Sequence, residues 1–260
     1  MDLGLRDRVC VVTGASAGIG LETARRLVAE EARVLMVARD GDRLGAVAGD
    51  LGAAWLALDV TGPEAEAQIV GACMETLGGL DALVNNAGTS YARSLDELTD
   101  ADWQLQYDLN VMAPMRLMRR AAPLMAERGW GRIVNVCSSA GKRPSLTNAS
   151  YSVTKAAQLS LSRVFADTWA SAGVLVNAVT PGATASQLWM GEGGLGDQTA
   201  AARGITREDA LDVQRAKVPL GRFADPGEIA DVVVFLCSER ASTVTGAAWS
   251  ADGGAVNIII

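Results

Sequence analysis

The clearest chemistry in the sequence is carried by two side chains four residues apart, Tyr151 and Lys155 in the stretch YSVTK. On a helix, positions i and i+4 share a face, so the phenol and the ammonium project into the same space. An unperturbed tyrosine titrates near 10, and a neighbouring cation favours the phenolate and makes the hydroxyl a better proton donor. Bringing it near neutrality would take about 3 units, or roughly 4 kcal/mol, of which Lys155 is expected to supply part. A second stretch, TGASAGIG at 13–20, has two readings. Gly14, Ser16 and Gly18 fit the G-x-S-x-G nucleophile elbow, while Gly14, Gly18 and Gly20 fit a glycine-rich turn that cradles the phosphates of a dinucleotide. The elbow needs a general base, which in that motif is histidine, and the chain contains none. Ser16 is therefore expected to be a loop residue near a phosphate.

Residues this far apart must be brought together by a fold, and its elements are legible. The β-branched runs RVCVVT, RVLMVA, AAWLAL, LDALVN, GRIVNV, GVLVNAVT and TGAAWSA alternate with longer Ala-, Leu- and Arg-rich stretches of helical spacing. Seven strands, apolar on both faces and separated by helices, predict an α/β fold: a doubly wound parallel sheet with helices on both faces. TGASAGIG lies between the first strand and the first helix, where helix N-terminal amides attract anions. Thr61–Glu64 and Asp225–Glu228 read as capping boxes at helix starts. No repeat or linker interrupts the series, so a single domain over 1–260 is expected. Its exception is a Gly- and Ala-rich insertion at about 183–217, too long for a simple connection and expected to form a lid or mobile loop over a site.

Composition narrows the function further. A net charge of -7 argues against nucleic acid or an anionic membrane as partner. The absence of histidine removes the commonest neutral metal ligand, and Cys10, Cys73, Cys137 and Cys237 form no C-x-x-C pair, so neither a metal site nor a redox dithiol is expected. No apolar run approaches the length of a membrane span, and the charged N-terminus lacks a signal-peptide core, so a cytoplasmic location is expected.

Further motifs fall at the carboxyl ends of the predicted strands: Asn85-Asn86-Ala87-Gly88 after the fourth, Ser138 after the fifth and thirteen residues before Tyr151, and Pro181-Gly182 at the sixth. Asn110 lies in LNV, and PLGRFADPGEIA and TGAAWSADGG follow. With TGxxxGIG and YSVTK, this ordered set resembles the short-chain dehydrogenase/reductase family, in its 3-oxoacyl reductase-like branch, over nearly the whole chain. The resemblance implies a single Rossmann domain in which Tyr151 is the catalytic acid/base, Ser138 holds the substrate oxygen, Lys155 tunes Tyr151 and binds the nicotinamide ribose, and Asn110 anchors a proton-relay water. It further implies cofactor contacts from Gly14, Ser16, Gly18, Ile19 and Gly20, from Asp59 and Val60 at the adenine, and from Asn86, Ala87 and Gly88 along the adenine ribose. Pro181, Gly182 and Ser186 complete the set, Ser186 standing where the family commonly has threonine.

The second strand ends in Ala38, where NAD-preferring members usually carry an acid, and is followed by Arg39, whose guanidinium can pair with a 2'-phosphate. NADP(H) is the expected cofactor and NAD(H) the alternative, tempered by Asp40 beside Arg39 and by Ala17 in the glycine loop, where some NADP-dependent members carry a second basic residue. Leu146, Ala183, Leu188, Trp189 and Met190 are expected to line an apolar substrate pocket. Gly129 and Ala172 stand where carrier-linked reductases commonly have arginine, which favours a free ketone or secondary alcohol. A 3-oxoacyl carrier-protein or CoA reductase, an NAD-dependent sugar or alcohol dehydrogenase, and a non-catalytic dinucleotide sensor are the alternatives. Ile258, Ile259 and Ile260 form an apolar tail whose burial would be favourable, and the family resemblance implies a homotetramer in which these residues help bury a contact between subunits.

Overall fold

The computed structural model describes residues 2–258. Its strands are β1 (Val9–Thr13), β2 (Arg33–Ala38), β3 (Ala54–Ala57), β4 (Ala82–Asn85), β5 (Gly131–Val136), β6 (Val174–Pro181) and β7 (Ala248–Ala251). They pair in parallel in the order β3-β2-β1-β4-β5-β6-β7. The helices are α1 (Gly18–Ala29), α2 (Gly41–Leu51), α3 (Ala65–Leu77), α4 (Asp100–Tyr107), α5 (Ala113–Glu127), α6 (Ala149–Trp169), α7 (Gln187–Met190), α8 (Leu195–Arg203), α9 (Arg207–Arg215) and α10 (Pro226–Cys237).

Side chains alternate across a strand, and in β1 both faces are covered. Cys10 and Val12 pack with Leu27, Leu44 and Val233 of α1, α2 and α10. Val9 and Val11 pack with Ile69, Leu117 and Ala166 of α3, α5 and α6. Every residue of β1, β4 and β5 is buried for this reason. The edge strands depart from that expectation: β3 alternates, leaving Trp55 48 % exposed, and β7 leaves Trp249 37 % exposed. An edge strand has one neighbour and needs only partial cover.

Strand order reverses between β1 and β4, so the loops leaving their carboxyl ends diverge and open a crevice. A buried chain of hydrogen bonds fixes α6 against this sheet. Asn85 donates to Asn135 Oδ1 (2.8 Å), Asn135 to Ser162 Oγ (2.8 Å), and Ser162 to the Gln158 carbonyl (2.7 Å). Leaving any of these groups unpaired would cost about 1–3 kcal/mol, so the rotation of α6, and with it the aim of Tyr151 and Lys155, is specified from inside the core.

Of the two expected capping boxes, the one at Asp225 and Glu228 forms. The one at Thr61 and Glu64 does not: the Thr61 hydroxyl donates to Asp59 Oδ1 (2.7 Å), Glu64 takes a left-handed conformation (φ 53°), and α3 starts one residue later. The 183–217 insertion is helical, carrying α7, α8 and α9, with Leu195, Ala200, Ala210 and Leu211 buried.

Candidate active site

A cleft of about 1830 Å³ runs along the carboxyl ends of the strands. This exceeds the roughly 300–1,000 Å³ of a drug-sized ligand site and suits a dinucleotide together with a second molecule. One wall is the glycine turn. Gly14 and Gly18 adopt positive φ (65° and 55°), and a Cβ on Gly20 would collide with the Gly14 carbonyl and the Asn86 amide. Gly20 therefore packs the turn rather than lining the cleft. The N-cap of α1, Ala17, provides no side-chain cap, and the first turn carries no acid. Its amides and dipole thus remain available for an anion.

Asn86 has a different job from the expected ribose wall alone. Its side chain donates to the carbonyls of Thr13 (2.9 Å) and Gly14 (3.1 Å), while the Thr13 hydroxyl accepts from the amides of Asn86 (3.0 Å) and Ala87 (3.1 Å). β4 is thereby stitched to the turn, and Asn86, Ala87 and Gly88 all line the cleft. Asp59 and Val60 line it after β3. Burial would raise the Asp59 carboxyl, but hydrogen bonds from Thr61 and the charge of Arg39 hold it below its ordinary value. Arg39 is exposed in the cleft and has no salt bridge among the described residues. Its neighbour Asp40 is committed to the α2 N-cap, accepting from the Arg43 amide (3.1 Å).

Ser138, Tyr151 and Lys155 meet where β5 ends against α6. The Ser138 hydroxyl accepts from the Ala140 amide (3.1 Å), so its own proton is directed elsewhere. Lys155 is 2 % exposed, and its Nζ donates to the Val136 carbonyl (3.0 Å) and to Gln158 Oε1 (2.9 Å). An ammonium has three protons, which leaves one for the cleft. Burial holds Lys155 down at about 8. Its Nζ lies 5.7 Å from the centre of the Tyr151 ring. Burial pushes the half-buried Tyr151 phenol up to about 12, outweighing the Ser138 hydrogen bond that favours phenolate. Burial likewise raises the adjacent Cys137 thiol to about 12, leaving it a neutral core group.

Asn110 sits in a five-residue π-turn, Asp108–Met112, of the kind that interrupts helices at functional sites. It is fully buried and does not line the cleft. Both its amide protons are used, towards Gln106 Oε1 (2.7 Å) and Thr154 Oγ1 (3.1 Å), and its Oδ1 has no partner among the described residues. A Cβ on Gly88 would stand 3.5 Å from that oxygen and 3.7 Å from Lys155 Nζ, so the missing side chain leaves a gap between the two.

Pro181, Gly182 and Ser186 line the cleft after β6, and Ala183, Leu188 and Trp189 line it from the lid. Trp189 is seated edge-on against Phe223, ring centres 5.4 Å apart. Leu146 lines it from the α6 approach, 91 % exposed. Met190 does not join the lining; its carbonyl is held by Arg207. Sequence reasoning missed Gln158, although its i+3 spacing from Lys155 was a signal. It also missed Ala255 and Val256, which reach the cleft because Asp252 anchors the amides of Gly254 (3.0 Å) and Val256 (3.1 Å). Of the expected tail, Ile258 is 46 % exposed and Ile259 and Ile260 lie outside the described residues.

A family model described as enoyl-(acyl carrier protein) reductase matches residues 14–256. The chain is 35 % identical over 253 residues to cis-4-hydroxycyclohexanecarboxylate dehydrogenase of Sinomonas cyclohexanicum, covering 95 % of this chain and 96 % of that one. Its fold superposes on L-sorbose reductase from Gluconobacter frateurii, solved with NADPH and L-sorbose, at a TM-score of 0.92 and 36 % identity over all of both chains. A variant of actinorhodin polyketide ketoreductase solved with NADPH gives a TM-score of 0.91 at 33 % identity, covering 96 % of this chain and 98 % of that one.

Proposed function

The chain belongs to the short-chain dehydrogenase/reductase family, and from that premise we propose that it interconverts a ketone and a secondary alcohol with NADP(H), Tyr151 acting as acid/base. The family are oxidoreductases of keto and hydroxy compounds that use nicotinamide cofactors. The observation that carries the finer reading is the arrangement at the foot of α6: a phenol, a hydroxyl that accepts from a backbone amide and keeps its own proton for the phenol or a substrate oxygen beside it, and a buried ammonium with one N–H left over, all on one cleft.

A nicotinamide held along the cleft would supply the hydride in reduction and take it in oxidation. In reduction, Ser138 donates to the carbonyl oxygen and holds it beside Tyr151. The Tyr151 phenol gives that oxygen its proton as charge develops there. Lys155, its position set by Val136 and Gln158, stabilises the phenolate left behind and turns its remaining proton towards the nicotinamide ribose. Asn110, its amide protons fixed by Gln106 and Thr154, presents Oδ1 to a water beside Gly88 through which solvent restores the proton.

Preference for NADP(H) over NAD(H) rests on Arg39, a guanidinium without an ion pair among the described residues, together with the absence of an acid at Ala38 and the capture of Asp40 by the α2 cap. A panel of ketones and secondary alcohols, followed by nicotinamide absorbance with both cofactors, tests the reading. Turnover with NADPH supports it; binding of NADPH without turnover of any pair would point instead to a dinucleotide sensor.

A further inference from the structure

The part of the cleft bordered by the lid carries charge that hydride transfer does not use. Arg143, Arg203 and Lys217 all line it, in a chain of net charge -7. They come from three places: the loop five residues beyond Ser138, the last turn of α8, and the chain just after α9. Among the described residues none of the three has a carboxylate within salt-bridge distance. Their neighbours on α9 differ: Arg207 is paired with Asp197, and Arg215 with Glu208 and Asp212. Among the described residues the Arg143 side chain reaches only the Ala255 carbonyl (3.4 Å) and the Lys217 ammonium only the Gln214 side chain (3.5 Å). All three are exposed at the rim of the cleft, and the Lys217 ammonium is held below its usual range first by partial burial, then by the charges of Arg203 and Arg143. Glu192, between α7 and α8, also lines the cleft, and it is bridged to none of them.

Uncompensated like charges converging on a cavity raise each other's energy, and an anion entering between them relieves it. The cofactor's phosphates do not answer this need, because the glycine turn and Arg39 lie at β1 and β2. The sheet order sets β2 three strand spacings from β5, which leads to Arg143, or about 14 Å. Resting on the ketone–alcohol reading of the same cleft, we infer that Arg143, Arg203 and Lys217 receive an acidic group of the substrate, a carboxylate or sulfonate borne by the ketone or alcohol. The reacting carbon sits at Ser138 and Tyr151, and the acid points to the lid.

The test titrates the full-length protein, with and without NADPH, with cyclohexanecarboxylate, cyclohexanesulfonate and the neutral cyclohexanecarboxamide, read by calorimetry. At least one acid is expected to bind about tenfold or more tighter than the amide, with the difference shrinking in high salt. Which of the two acids is preferred identifies the group. The double variant Arg203→Gln/Lys217→Gln should lose the preference while keeping its NADPH affinity. No binding of either acid, equal binding of the amide, or a preference that survives the double substitution overturns the inference. Neutral ketones and keto acids assayed in parallel separate the two claims. Reduction without acid preference overturns this inference alone, whereas acid preference without turnover of any ketone overturns the oxidoreductase reading and leaves an anion site.

Discussion

Replacing Gln158 by Met should move the alkaline limit of ketone reduction to lower pH. The Lys155 ammonium is buried and titrates at about 8, with Gln158 Oε1 as one of its two fixed acceptors at 2.9 Å. A hydrogen bond to a charged group contributes about 1.5–3 kcal/mol, and one pKa unit corresponds to about 1.4 kcal/mol. Met has similar length and no comparable acceptor, so the charged form loses support and deprotonation comes about one to two units earlier. Activity that needs the ammonium is present below the Lys155 pKa and lost above it, so the whole limb shifts downwards. Gln158→Glu places a carboxylate at the same spot and should shift the limb upwards. The assay is kcat/KM for reduction of one good ketone from about pH 5 to about pH 10 with saturating NADPH. A limb that stays in place in both variants, with rate merely scaled, would refute the assignment of Gln158 as the residue that positions and supports Lys155.

Cofactor choice should follow the end of β2. Ala38→Asp with Arg39→Ile is expected to lower kcat/KM with NADPH by about 10- to 100-fold and to raise it with NADH, measured by absorbance with each cofactor. A wild-type enzyme already preferring NADH would sink that reading. The lid should tighten around its ligands, so limited proteolysis between Gly191 and Gly204 should slow when NADPH and substrate are both present; identical digestion patterns would count against gating. The homotetramer proposed from the family resemblance predicts that deleting Ile258, Ile259 and Ile260 weakens assembly. Light scattering at matched concentrations checks this, and unchanged mass with unchanged kinetics would assign the tail no part in assembly.

The central strands were legible because burial on both faces leaves an uninterrupted apolar run, as in β1 and β5. Tyr151, Lys155 and Ser138 were legible because helical spacing and strand ends carry them, and the glycine turn because Gly14 and Gly20 face steric demands that other side chains cannot meet. Environment was less legible. The i+4 cation is written in the sequence, but the burial that pushes Tyr151 up to about 12 comes from α6 packing on β5 and β6. The lid hid its helices behind Gly191, Gly193 and Gly194, although Thr206, which caps α9 by accepting from the Asp209 amide (3.1 Å), was a local sign. The box expected at Thr61 failed because Asp59, two residues earlier, competes for the hydroxyl. Arg143, Arg203 and Lys217 lie up to 74 residues apart and come together only through the tertiary fold.

The most direct test of the account is the single-turnover rate of ketone reduction by Tyr151→Phe, measured beside its NADPH affinity. The substitution removes the transferable proton and little else. The account predicts a rate lowered by about 10²- to 10⁴-fold with cofactor binding nearly intact. A Tyr151→Phe enzyme that reduces a good ketone at close to the wild-type rate would contradict it.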